Sequence, residues 1–227
     1  DFGDLSQSRK SFASFSNNIT GFWAGGDPNG ATSNVIDKVA IASLGNATDF
    51  GDLTEGRQIC SGCSNAHGGL GGLLTADESQ VLPSDNYQDT SGNGVFTSDE
   101  QYLLNKSNRW PTPGNIYVTQ QIGLFFGGSA GAGGQNYIDQ RNLSSTGNAS
   151  DFGDMSVGKY NASALGNNTR AIVGGGTASG AINVIEYITI ASTGDATDFG
   201  DLLSVVSYAA GSLCSPTRSV FAGGFNG

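Results

Sequence analysis

One phrase, Asp-Phe-Gly-Asp followed by Leu or Met, occurs four times: Asp1-Phe2-Gly3-Asp4-Leu5, Asp49-Phe50-Gly51-Asp52-Leu53, Asp151-Phe152-Gly153-Asp154-Met155 and Asp198-Phe199-Gly200-Asp201-Leu202. The spacings are 48, 102 and 47 residues. A chain that repeats one phrase at such a period is assembled from copies of one supersecondary unit, each too small to bury its apolar faces alone. Because 102 is close to twice the flanking spacings, a worn copy is expected near the midpoint, and Thr90-Ser91-Gly92-Asn93 matches the turn Ser192-Thr193-Gly194-Asp195. This gives five repeats.

Glycine doublets mark the same period: Gly25-Gly26, Gly71-Gly72, Gly127-Gly128, Gly174-Gly175 and Gly223-Gly224, spaced by 46, 56, 47 and 49 residues. Apolar runs precede four of them, at Gly21-Phe22-Trp23-Ala24, Gly123-Leu124-Phe125-Phe126, Ala171-Ile172-Val173 and Ser219-Val220-Phe221-Ala222, and read as buried strands ended by glycine. Downstream lie β-branched stretches such as Asn34–Ala42 and Asn183–Ala191, each a further strand. A Gly-Asn-Ala or Gly-Asp-Ala turn then leads into Asp-Phe-Gly-Asp as a short fourth strand, and a Ser/Ala-rich stretch such as Ser11–Phe15 opens the next unit. Four strands in roughly 50 residues make a propeller blade. The expected fold is therefore all-β, a propeller of about five blades in one domain over residues 1–227. Its units run approximately 6–53, 54–103, 104–155, 156–202 and, incompletely, 203–227.

The unit resembles a kelch repeat: a basic residue entering the first strand (Arg9, Arg57, Lys159), a second strand ending in Gly-Gly, a third strand, then an aromatic opening the fourth. It departs from kelch in placing Phe where Trp is usual. The phrase Ile-Ala-Ser-Thr-Gly-Asp-Ala-Thr-Asp-Phe-Gly-Asp-Leu at 190–202 is similar to kelch-like propellers of tail-fibre and other virion proteins of bacteriophages, marine ones in particular. The resemblance implies a structural or adhesive module of a virion or other extracellular fibre. Its partners would be other fibre or virion proteins in an oligomeric assembly and a host-surface glycan.

The formal net charge of −10 and pI near 4.2 exclude a polyanion-gripping surface, so no nucleic-acid partner is expected. No apolar run has the length of a transmembrane helix, so no membrane insertion is expected either. Three cysteines cannot all pair with one another. Glycine at 36 residues and charge at only 13% fit a surface made mostly of turns. The first residues read as a fourth strand with no third before it, and the last stop after a second strand. The sequence is therefore expected to be a segment of a longer polypeptide.

Candidate chemistry is sparse. Asp-Phe-Gly is the magnesium-binding tripeptide of protein kinases, but no strand lysine behind a Gly-rich loop and no His-Arg-Asp accompany it, and it recurs at blade period. Its aspartate is expected to cap a turn by accepting from nearby backbone amides. The segment Asp89–Glu100 fits an EF-hand loop, with Asp89, Ser91, Asn93, the Val95 carbonyl and Glu100 as calcium ligands. It reads equally as a diverged loop between strands, without flanking helices. No other cofactor is indicated.

Cys60 and Cys63 form a Cys-x-x-Cys in the positions of Phe12 and Phe15; residues three apart on a strand face opposite ways, so they are expected to pack as thiols. A single histidine, His67, leaves no copper-oxidase set and no nucleophile motif beside it. Ala47–Gly51 echoes a sialidase hairpin, but Arg9 and Arg57 recur in phase and read as blade residues, so a sialidase- or lyase-type enzyme is the reading furthest from the residues. For ligand binding, Trp110 and Arg109 in the Pro-rich stretch Asn108–Pro113 are the candidates, with Trp110 suited to stacking on a sugar ring, as in a propeller lectin. A purely architectural filament subunit is the remaining alternative.

Overall fold

The computed structural model describes residues 2–17, 19–66, 121–131, 133–167, 169–209, 211–214 and 218–225. The chain divides into two units, one comprising Asp1–His67 with Gln120–Gly227 and the other Gly68–Thr119. The described strands all lie in the first unit.

This unit is all-β, with no helix among the described residues. Fourteen strands follow in order: β1 (Ala13–Ser16), β2 (Thr20–Ala24), β3 (Val35–Ala40), β4 (Thr48–Asp52), β5 (Ser61–Ser64), β6 (Ile122–Phe126), β7 (Tyr137–Asn142), β8 (Ser150–Asp154), β9 (Ser163–Gly166), β10 (Arg170–Gly174), β11 (Ile182–Thr189), β12 (Thr197–Val206), β13 (Gly211–Cys214) and β14 (Ser219–Ala222). They form three four-stranded antiparallel meanders, β1-β2-β3-β4, β5-β6-β7-β8 and β9-β10-β11-β12, and a two-stranded sheet β13-β14. Each sheet is open. The first strands of successive sheets lie side by side, β1 by β5, β5 by β9 and β9 by β13.

One sheet draws strands from either side of a long connection. Units 54–103 and 104–155 do not supply a sheet each from the residues described: β5 pairs directly with β6, Cys63 opposite Leu124, so a single sheet draws strands from both. The 102-residue spacing arises because residues 65–121 stand in the β5–β6 connection, where β1–β2 has three residues, 17–19. Spacing measures contour length, and contour length does not report which strands pair. A smaller correction concerns the fourth doublet: Gly175 and Gly176, not Gly174 and Gly175, occupy the left-handed positions (φ 64° and 102°) that end a second strand.

Alternation along the strands distributes side chains between neighbouring sheets. In β6, Ile122, Leu124 and Phe126 enter the core shared with the third sheet, while Phe125 enters the core shared with the first. Every residue of this strand is buried because both its faces are covered. Between the first and second sheets, Phe22, Ile36 and Phe50 meet Cys60, Phe125 and Leu143. The rings of Phe15, Phe22, Phe50 and Phe125 form a chain with centroids 5.0 to 5.5 Å apart. Between the second and third, Leu124, Ile138 and Phe152 meet Ala171, Val173, Ile188 and Ile190.

Candidate interaction surface

Three contacts recur from one unit to the next. The first is a buried ion pair. The basic residue entering each first strand reaches an acid on the third strand of the same sheet: Arg9 to Asp37 at 2.8 Å, Arg57 to Asp139 at 2.6 Å and Lys159 to Glu186 at 2.6 Å, all with side chains essentially out of solvent. The acids also accept from the segment just after the preceding Asp-Phe-Gly-Asp, from the amides of Ser6, Thr54 and Ser156. One carboxylate thus ties the linker, the incoming cation and the third strand together. Burial drives the Arg9 guanidinium below its ordinary range despite Asp37. Burial alone would raise the Glu186 carboxyl, but hydrogen bonds from Lys159 and Ser156 and the ammonium charge outweigh it and hold it below its ordinary range.

The second contact is a three-hydrogen-bond lock between a fourth strand and the turn ahead of the next fourth strand. Gly147 N donates to Phe50 O (2.7 Å), Ala149 N to Asp52 O (2.6 Å), and Asp52 N to Asn148 Oδ1 (3.2 Å). The same set joins Gly194, Ala196 and Asp195 to Phe152 and Asp154, and joins Gly45, Ala47 and Asn46 to Phe2 and Asp4. The glycine of the motif is required by this approach: a Cβ on Gly51 or Gly153 would lie within 2.5 Å of the carbonyl carbon of Gly147 or Gly194, at φ near +150°. The first aspartate caps the turn as expected, Asp49, Asp151 and Asp198 each accepting from the amide two residues on at 3.0 to 3.1 Å.

The third contact links the segments that precede the first strands. Ile59 N donates to Ser11 O, Asn161 N to Ile59 O and Ala209 N to Asn161 O. Ser11, Ile59 and Asn161 all take left-handed φ of 56° to 60° to do so.

At the third sheet this series changes. Phe199, Gly200 and Asp201 of β12 repeat the motif, yet among the described residues no turn lies on them. Phe199 is 56% exposed where Phe50 and Phe152 are 3%. A Cβ on Gly200 would have nothing within 4 Å. Beside it a groove of about 380 Å³ runs between the third sheet and β14, with Ile172, Ile185, Phe199, Val220 and Phe221 on its walls and Arg170 and Arg218 at its edge. No protein-family model matches the chain, and no curated protein matches its sequence. The groove and the joints must therefore be read from their own chemistry.

The groove brings together none of the residues that the sequence singled out. Trp110, Arg109, His67 and the calcium-loop candidates Asp89, Ser91, Asn93, Val95 and Glu100 lie outside the described residues, as does the doublet Gly71-Gly72. Cys60 and Cys63 are buried free thiols in opposite cores, Cys60 facing the first sheet and Cys63 the third, so they do not converge on one point. Burial pushes the Cys63 thiol up to about 12 and raises Cys60 as well. Among the described residues, no three His, Cys, Asp or Glu side chains gather into a set that could hold a metal, and no helix is long and apolar enough to cross a membrane.

The acids Asp37, Asp139 and Glu186 escaped the sequence reading, although their cations did not. A signal was present: the longer guanidinium side chain faces the shorter Asp, and the one Lys faces the one Glu, a length compensation within a single chain.

Proposed function

We propose that the chain is a kelch-like propeller segment acting as a non-enzymatic structural or adhesive module of a viral or similar extracellular fibre. The observation that carries this reading is where the charge goes. Every fully buried charged side chain among the described residues belongs to one of three ion pairs that tie the segment entering a sheet to that sheet's own third strand, so the ionic chemistry is spent on building the repeated unit. Successive four-stranded meanders with first strands side by side are what blades around an axis require. Such a scaffold offers its Asn-, Ser- and Thr-rich turns as a presentable rim, including Leu44–Ala47 and Ser144–Ala149.

The experiment is immunolabelled electron microscopy of the particle that bears the chain, paired with a glycan-array screen of the purified protein. Label at the distal end of an appendage together with saturable glycan binding establishes the adhesive role. Label along a shaft without glycan binding makes the module architectural, and label on no fibre overturns the proposal.

A further inference from the structure

In each four-stranded sheet a hairpin joins the first strand to the second, and one asparagine closes all three hairpins in the same way. In the first sheet Asn17 N donates to Thr20 O (3.0 Å) and Thr20 N donates back to Asn17 Oδ1 (2.7 Å). In the third, Asn167 N donates to Arg170 O (2.9 Å) and Arg170 N to Asn167 Oδ1 (2.9 Å). In the second, Asn65 N donates to Ile122 O (3.1 Å) and Ile122 N to Asn65 Oδ1 (2.8 Å). The residue before each second strand also accepts from the residue after the third strand: Ile19 O from Ile41 N, Gln121 O from Leu143 N and Thr169 O from Ile190 N. Gln121 therefore stands where Ile19 and Thr169 stand.

The length of chain between these fixed points differs. One residue separates Asn17 from Ile19 and Asn167 from Thr169, whereas residues 66–120 separate Asn65 from Gln121. Neither end of the hairpin registers the difference. The pairs next to the closure are equivalent in all three sheets, Ser16 opposite Gly21, Ser64 opposite Gly123 and Gly166 opposite Ala171. Asparagine suits such a closure, because its own amide and its side-chain carbonyl together satisfy both backbone groups of the second strand's first residue.

Both ends of the long connection are built into the sheets. Ala66 is buried in the core shared by the first and second sheets. Asn17 Nδ2 donates to Gln121 Oε1 at 2.8 Å and so ties one hairpin base to the next. The division of the chain at Gly68–Thr119 falls just inside these two anchors.

We propose that the hairpin between β5 and β6 is a carrier site: it closes on itself through Asn65, and residues 67–120 are a cargo segment that the sheets hold without depending on it. Carrying extra chain there costs loop-closure entropy, which rises only logarithmically with length, and the bonds at the hairpin base offset it. The inference stands on hydrogen bonds and register and is independent of any fibre or glycan.

The test compares the full chain with a variant lacking residues 67–120, in which Gln121 follows Ala66 and the turn has the length of Asn17–Thr20. Trp23 in β2 reports unfolding by its fluorescence, and the full chain carries Trp110→Phe so that both proteins hold the same single probe. In chemical denaturation the midpoint of the shortened protein should equal or exceed that of the full chain, because the loop to be closed is shorter. A lowered midpoint, or no cooperative transition, overturns the proposal. A second variant leaves the connection intact. Asn65→Ala in the full chain removes the acceptor of the Ile122 amide and should lower the midpoint about as much as Asn17→Ala does. An unchanged midpoint in Asn65→Ala would show that something other than this closure holds the hairpin, and it overturns the proposal as well.

Discussion

Phe152 and Phe199 occupy the same position of the same phrase, yet one is sealed and the other faces solvent. Around Phe152 the next sheet contributes a third strand and a Gly-Asp-Ala turn; around Phe199 the strands of the next sheet among the described residues are β13 and β14. The identical local sequence takes the same strand conformation in both places and the same aspartate cap at about 3 Å. The burial, by contrast, is a property of the neighbour. A repeat of this kind is therefore half of an interface, and its side chains acquire their energetic weight only when the following copy is complete.

The deepest break in the comparison is electrostatic. Asp139→Ala leaves the buried Arg57 without its charge partner, and should cost about 3–5 kcal/mol in chemical denaturation. Replacing both residues together, Arg57→Met with Asp139→Leu, should recover most of that loss, because the desolvation penalty disappears along with the pair.

Aromatic truncation compares the two joints directly. Phe152→Ala should cost about 3–4 kcal/mol, since transfer and cavity terms both apply in a closed core. Phe199→Ala should cost less than about 1 kcal/mol, and a loss equal to that of Phe152→Ala would show that the two joints do not differ as described.

The motif glycines sharpen the contrast. Gly153→Ala must push against the Gly194 carbonyl and adopt a strained φ, whereas Gly200→Ala meets only the strain, so the first should be the more destabilising by about 1–2 kcal/mol. At the linker between joints, Ile59 holds a β-branched side chain at φ 57°. Ile59→Asn should stabilise the chain by about 1 kcal/mol by relieving that strain, read as a raised denaturation midpoint.

Acid titration gives the smallest effect. Glu186 holds its proton less tightly folded than unfolded, so its contribution is complete above its ordinary value of 4.5 and is lost as the pH falls through the lower folded value. Comparing stability at pH 6 and pH 3 in wild type and Glu186→Gln should show a shallower pH dependence in the variant.

Much of this architecture is legible in the sequence because its signals are local. Alternating apolar runs, glycine doublets and the recurring Asp-Phe-Gly-Asp mark strands and turns through backbone sterics and period-two burial, which need no knowledge of the partner. The opposite orientation of Cys60 and Cys63 follows from the same alternation. Pairing across a long connection is different. That β5 takes β6 as its neighbour, 57 residues separating Asn65 from the Ile122 amide it accepts from, depends on side-chain fit and hydrogen bonds between distant segments.

Distance likewise hid the acids: Asp139 answers Arg57 across 82 residues, and only the folded chain places the carboxylate against the guanidinium. By itself the sequence determined the unit, its strands and its turns, since these are set within a few residues by dihedral preference and hydrophobic alternation. The tertiary structure decided which sheets share a core and where buried charges are neutralised, because each of those depends on what a distant stretch of chain brings to the surface that the motif presents.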